Sequence, residues 1–426
     1  MAQTIIGLDI GNYSVKALRL EGGYRGFTVL GYDEEILDTV HVDIGAVADG
    51  EGEVTEAELE DAIHDAEDAA LHAALTELRA RGALDGDHFV VAIPPDLVLS
   101  ATMAFPFTDP KALAAVIPLN FEERIPVSVN DLVLDHFVVG PSASSPGQTD
   151  VTVVAVKFDD LSVFLDLWGA SGVDPHHVVM GDAALANLAN YLLSDLTEPF
   201  AIVDIGHRFT RVACFEPREG APHSVGHVRS FQTGGHEVTQ SLMRTFDCTY
   251  QQAEHYKHTR GQVAVDTITL GAAAVKASDA MKRGLDTSVR ELRRTFQAHA
   301  TARRAPVTRV FLCGGASRLG NLGPYLASEL GVAVESLPMA SEELSTLERE
   351  PGEELGMSQA LALGLRDALP AEKRLPLNFR TGRFRHQEAR SWVREKSVGM
   401  IVLAALFLCA LGSVLGSHYF AVSERH

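Results

Sequence analysis

Apolar runs of strand type recur along this chain, and three of them stop at glycine. They are Ile5-Ile6-Gly7-Leu8-Asp9-Ile10-Gly11, Ile202-Val203-Asp204-Ile205-Gly206 and Val310-Phe311-Leu312-Cys313-Gly314-Gly315. Short apolar runs bounded by turn signals predict buried strands. The first run covers a strand at 4–10, followed by strands at 15–21 and 26–32. A helical stripe of Leu59, Ile63, Ala66, Ala70 and Leu71 predicts a helix over 55–81, opened by a capping box of Thr55 and Glu58. A buried strand at 89–94 ends at Pro94-Pro95. Beyond it come a helix over 111–121, a hairpin of strands at 132–139 and 151–157, and helices over 161–169 and 182–193. The second run restarts the scheme: strands at 201–205, 211–215 and 224–231, then the turn Gly234-Gly235 and a helix from about 236. Residues 250–305 are polar and helix-rich; a strand at 307–313, a helix over 321–330, a short strand at 332–336 and a helix over 358–369 follow.

The two halves repeat one order of elements, which implies two similar lobes with a cleft between them. The expected fold is α/β. Lobe one covers 1–199 and holds an inserted subdomain at about 88–175; lobe two covers 200–370 and holds a helical subdomain at about 241–305. A basic juxtamembrane linker is expected at 371–397 and a transmembrane helix at 398–420. Residues 397–423 contain no Asp, Glu, Lys or Arg, and a helix of about 22 residues spans the roughly 30 Å hydrocarbon core. Arg380, Arg383, Arg385, Arg390, Arg394 and Lys396 precede the span, whereas only Glu424 and Arg425 follow it. The positive-inside rule therefore predicts a single-pass protein with its N-terminal bulk in the cytoplasm.

Charge narrows the choice of partners. The net charge is −21, and fifteen Asp and Glu residues fall between 33 and 68 with no Lys or Arg among them. Such a block repels phosphate backbones, so no nucleic-acid partner is expected. Either a solvated face or a dock for a basic partner accounts for it. Cys214, Cys248, Cys313 and Cys409 show no paired or metal-type spacing, which suits reduced thiols used as small hydrophobes.

Candidate chemistry gathers at the strand ends. One Asp-x-Gly triplet is an ordinary tight turn; two, Asp9-Ile10-Gly11 and Asp204-Ile205-Gly206, each leading into another strand, are more specific. In a nucleotide clamp, Asp9 and Asp204 would hold hydrated Mg²⁺, and Gly11 and Gly206 would let backbone approach phosphate. Asn12 lies in the first turn, Ser14 offers a hydroxyl, and Lys16 offers an ammonium as a point charge. Gly314, Gly315 and Ser317 suit a turn on which base and ribose rest, and Gly234 and Gly235 place N–H groups at a helix start. Glu237 reads either as a cleft residue or, more commonly, as a helix-start glutamate.

These segments resemble the actin-like ATPase superfamily. Residues 7–16 are similar to its first phosphate loop, Val203-Asp204-Ile205-Gly206 to its second, and Phe311-Leu312-Cys313-Gly314-Gly315-Ala316-Ser317-Arg318-Leu319 to its adenosine motif. Val91-Ala92-Ile93-Pro94 and Glu123-Arg124-Ile125-Pro126 resemble the inserted subdomain of the branch that contains PilM of type IV pili and the L protein (GspL) of type II secretion. Leu375-Pro376-Leu377-Asn378-Phe379-Arg380-Thr381-Gly382-Arg383-Phe384 resembles both the L-type connection to its span and the N-terminal peptide of PilN, which PilM-type proteins bind. Lobes and span in one chain make the L type the nearer match, and the sequence is expected to lack the L type's periplasmic domain.

The resemblance implies an actin-like (ribonuclease H-like) fold and a bacterial inner-membrane scaffold of type II secretion. Its partners would be the secretion ATPase (E protein) and the M protein, and it would act as a homodimer. The alternative is a PilM-like ATP-binding protein of type IV pilus assembly. The implied cofactor is ATP with Mg²⁺, or none. Asn12-Tyr13 and His207-Arg208-Phe209 are bulkier than the family's usual loop residues, with Arg208 a further cation for phosphate, and no Gln, Glu or Asp stands out to position attacking water. No turnover is therefore expected, and a sugar kinase or ATP hydrolase is disfavoured.

Overall fold

The computed structural model describes residues 3–23, 26–37, 56–265, 271–347 and 352–387. Thr55 of the capping box, residues 38–55 of the acidic block, Cys409, the linker beyond 387 and the span expected at 398–420 lie outside the described residues. Among the described residues no helix is long and apolar enough to cross a membrane.

Two five-stranded sheets carry the same topology. The first runs β3 (Gly26–Ile36), β2 (Ser14–Gly23), β1 (Gln3–Ile10), β4 (His88–Ile93), β8 (His177–Met180). The second runs β11 (Ala221–Phe231), β10 (Thr210–Arg218), β9 (Phe200–Ile205), β12 (Arg309–Cys313), β13 (Ala333–Ser336). In each, three antiparallel strands are followed by two parallel ones. The central strands β1 and β9 are almost wholly buried, as strands covered on both faces must be.

Each lobe lends a helix to the other. Helix α4 (Gly181–Leu192) leaves β8 of the first lobe and packs on β10 and β11 of the second. Helix α9 (Ser358–Ala368) follows the second lobe and packs on β1, β2 and β4 of the first. The two helices also pack on each other. Close approach requires glycine: a Cβ on Gly7 would stand 2.0 Å from the Ala360 carbonyl oxygen.

The remaining helices flank this core. Helix α1 (Glu56–Ala80) lies against β2 and β3. In the second lobe, α5 (Gly235–Phe246), α6 (Tyr250–Arg260), the 32-residue α7 (Ala272–Arg303) and α8 (Leu322–Leu330) build a separate apolar core.

The inserted subdomain is a three-stranded sheet ordered β5 (Val98–Phe105), β7 (Thr149–Lys157), β6 (Leu132–Pro141). Helix α2 (Pro110–Glu122), capped by the Asp109 side chain, seals Met103, Phe105, Leu113, Ile117 and Phe121 against one face. Val133, Phe137, Val154 and Val156 on the other face join the main core. Strand β4 pairs with β1, and α3 (Phe158–Ala170) buries Leu161, Phe164 and Trp168 in the main core, so the inserted sheet runs from β5 to β7.

Residues 375–384 form a strap docked against the first lobe. Phe379 is fully buried and its N–H donates to the Val178 carbonyl (2.8 Å); Leu377 is 2% exposed. Asn378 accepts from the Val178 N–H through its side chain (3.2 Å), and its own N–H donates to Asp135 Oδ2 in β6 (2.8 Å). Arg380 donates to Asp174 (2.6 Å) and to the Pro175 carbonyl (2.7 Å), and the Arg383 guanidinium lies 3.9 Å over the Phe158 ring.

Candidate functional site

The two Asp-x-Gly turns are built alike. Asp9 ends β1 and faces Lys16 across the β1–β2 pairing, with Nζ 3.8 Å from Oδ2. Asp204 ends β9 and faces Arg211 across the β9–β10 pairing, and Arg211 Nη1 donates to Oδ2 at 3.1 Å. The Gly11 N–H donates to Ser14 O (3.0 Å) and the Gly206 N–H to Phe209 O (2.9 Å), closing both turns. Asp9 Oδ1 is buried with no protein partner.

Backbone from the third strand end lies over this pair. Gly314 has φ 86°, and a Cβ there would sit 2.1 Å from Asp204 Oδ1. Its successors form a single 3₁₀ turn, in which the Ser317 hydroxyl donates to the Gly314 carbonyl (2.6 Å). Gly234 and Gly235 lie against the second turn: the Gly235 N–H donates to Gly206 O (2.9 Å) and the His236 N–H to His207 O (2.8 Å). These N–H groups therefore bind the turn itself and are not free for phosphate. Glu237 accepts from the Gly234 N–H (2.6 Å), the helix-start role. The Ser14 hydroxyl donates to Glu34 (2.5 Å), and Arg208 reaches Glu67 of α1 (3.1 Å), so both are engaged by carboxylates.

Burial sets the electrostatics. It pushes the Asp204 and Asp182 carboxyls above their ordinary range, with Arg211 pulling the other way. Burial also works against the Arg211 charge, but Asp204, Asp9 and Asp182 together hold that guanidinium above its usual value. One buried cation thus serves three carboxylates. Ring contacts cross from lobe to lobe: Tyr13 lies 5.5 Å from His207 and 5.8 Å from His258 between centroids. Tyr250 Oη is 3.1 Å from His207 Nε2. Burial, with Lys257 next, drives His207 down to about 3.

A cavity of about 750 Å³ opens between the lobes, within the size range of small-molecule sites. Residues 315–324 line one side of it, and Lys16, Lys257, Leu285 and Glu353 are among its walls. Lys257 Nζ donates to Glu254 (2.6 Å), Thr239 (2.8 Å) and the Gly235 carbonyl (3.1 Å), and burial lowers its pKa. Asp9, Gly11, Asn12, Ser14, Asp204, Arg211 and Gln359 line a second space of only about 40 Å³. Tyr13, Lys16, Gly206, His207, Gly315 and Gly356 border both spaces.

The residues present fit a nucleoside with its nearer phosphates: a glycine-rich side, a buried lysine, and a free carboxylate oxygen on Asp9 for a hydrated cation. The far phosphate end is narrowed by the Tyr13 and His207 rings. Asp9, Gly11, Asn12, Ser14, Lys16, Asp204, Gly206, Gly235, Gly314, Gly315 and Ser317 line one or other of the two spaces, whereas Gly234 lines neither. Arg211, Lys257, Tyr250, Asp182 and Gln359 were missed. Arg211 was detectable, since it stands seven residues after Asp204 as Lys16 stands seven after Asp9. Gln359 lines the small space with its side-chain oxygen buried and unpartnered.

A search of curated proteins gives no match. Among solved structures, a "PilM-PilN type IV pilus biogenesis complex" is 22% identical, covers 86% of this chain and 99% of its own, and superposes with a TM-score of 0.64. That likeness shows the actin-like fold. The cytoplasmic domain of EpsL, an inner-membrane component of the type II secretion system of Vibrio cholerae, is 12% identical over 89% of this chain and 99% of its own, with a TM-score of 0.39. MreB5 of Spiroplasma citri bound to AMPPNP is 10% identical over 86% and 96%, with a TM-score of 0.44. Scores this low carry no argument. The type IV pilus assembly protein PilM profile matches residues 7–365, and the chain therefore belongs to the PilM family.

Proposed function

We propose that this protein is an assembly scaffold of the pilus and secretion kind, which holds a nucleotide cleft at a membrane without turning the nucleotide over. The observation that carries this reading is the docked strap. It fixes residues 375–384 onto β8 and β6 of the first lobe, so a pull on the chain beyond them would be felt by that lobe. Membership of the PilM family, whose members assemble type IV pili, supports a setting of pilus biogenesis. The narrowed phosphate end and the cation shared by three carboxylates support binding over hydrolysis.

The finer reading is the L-type scaffold of type II secretion. It is a single-pass protein of the bacterial inner membrane with its bulk cytoplasmic, working as a homodimer with the secretion ATPase (E protein) and the M protein. Lobes and an expected span in one chain favour it. The PilM-like pilus reading is favoured by the family match over residues 7–365. Affinity capture of the full chain from detergent-solubilised membranes of its own cells separates them. Recovery of the secretion motor ATPase and an M-type partner is expected; pilus-assembly partners alone would overturn the finer reading, and recovery of neither would overturn the scaffold.

Titration of Mg-ATP into the full chain tests the cleft. Micromolar binding without phosphate release is expected, weakened at least tenfold by Asp9→Ala. Steady phosphate release that Asp9→Ala abolishes would overturn the absence of turnover.

A further inference from the structure

Away from the cleft, three metal-ligating side chains converge from three elements. His88 starts β4, His177 starts β8, and Asp367 lies in the last turn of α9. His88 Nε2 and His177 Nδ1 each stand 2.8 Å from Asp367 Oδ2, and the two nitrogens are 3.2 Å apart. Neighbouring ligands of one ion with bonds of about 2.0–2.1 Å lie about 2.9–3.4 Å apart. The three atoms thus need move only tenths of an ångström to share an ion. Hydrogen bonding alone uses the arrangement poorly: a single carboxylate oxygen would take both ring N–H groups while the nitrogens crowd each other.

The ligands are also held from behind, as ligands of bound metals are. Asp367 Oδ1 accepts from Arg366 (2.6 Å) and Arg374 (3.3 Å). His88 Nδ1 lies 3.1 Å from Nε2 of the Gln3 side-chain amide. With that amide turned so that its oxygen faces the ring, Nδ1 carries the proton and Nε2 keeps its lone pair for metal. The three side chains are 16, 22 and 10% exposed, enough for water to complete the shell.

We propose that His88, His177 and Asp367 bind a divalent transition metal of the zinc type. Two imidazoles and one carboxylate suit Zn²⁺, Co²⁺ or Ni²⁺ better than Mg²⁺ or Ca²⁺. The Arg366 and Arg374 charges oppose a cation, so micromolar affinity is expected, weaker than that of a closed four-ligand site. The ion would pin the edge strand β8 to β4 and α9. The strap shares that seat, since Arg366 Nε donates to Leu377 O (3.2 Å) and Phe379 pairs with Val178 in β8. Metal would therefore tighten the strap.

The test is a Co²⁺ titration of the full chain in detergent, purified without a histidine tag and stripped with chelator. Visible ligand-field bands that Zn²⁺ displaces are expected, together with a metal-dependent rise in melting temperature. Both should be lost in His88→Gln and His177→Gln, variants that keep a hydrogen-bonding side chain, and kept in His176→Ala. Metal-free melting of each Gln variant within a few degrees of the parent shows that it folds. Absence of bands in the parent, bands that survive His88→Gln, or a thiolate charge-transfer band marking a cysteine site would each overturn the proposal.

Discussion

Asp9 with Lys16 and Asp204 with Arg211 are one device used twice, and the second copy is the more buried. Removing one partner of a buried pair strands the other charge. Arg211→Met is therefore expected to cost about 3–5 kcal/mol in urea unfolding. Gly314→Ala places a Cβ against Asp204 at a left-handed φ, and a loss of about 1–3 kcal/mol is expected in the same assay. His207 gives a pH signature. Its folded pKa, about 3, lies below the unfolded value near 6.5, so the unfolded chain binds the proton first. Its contribution is full above about 6.5 and falls as pH drops toward 3. Asp204 and Asp182, raised by burial, act in the opposite sense, so the His207 share is read as the difference between the parent and His207→Asn melting curves. A difference that does not change between pH 7 and 5 would contradict it. The Asp-x-Gly turns were legible because a buried strand that stops at glycine leaves a local pattern. Tyr13 meeting His207 was not, because the contact exists only once two distant loops face each other.

Among elements, those with strong local periodicity were predicted to within a few residues, α1, α4, α9 and β1 included. Strands β5 and β8 were missed for physical reasons. In β5, Ser100 and Thr102 break the apolar run and one face looks outward. β8 is only four residues long and exists because β4 offers it a parallel edge. The strap carries no periodicity at all; its conformation comes from the surface that receives it. Phe379→Ala should therefore cost about 3–5 kcal/mol, the range for emptying a buried phenylalanine site. It should also expose Arg380 and Arg383 to trypsin under native conditions. Unchanged cleavage would show that the strap is held by its polar contacts alone.

At the level of the whole molecule, Tyr13–His207 and Arg208–Glu67 bridge the lobes beside the phosphate end. Arg208–Glu67 is solvent-exposed and contributes little, so the rings are the stronger latch. Tyr13→Ala is expected to widen the narrow space and raise affinity for a fluorescent ATP analogue several-fold; a loss of affinity would mean that the ring itself contacts the ligand. The duplicated fold was legible from order alone, whereas the exchange of α4 and α9 was not, since no local pattern records which sheet a helix will cover. That exchange bears on synthesis at the ribosome. When residue 199 emerges, β1, β2 and β4 are complete, but the helix that covers them is still more than 150 residues from being made. The nascent first half must wait with an apolar sheet face open to water, a state prone to aggregation. A chain arrested before residue 358 should be captured by holdase chaperones, and release should coincide with the translation of α9.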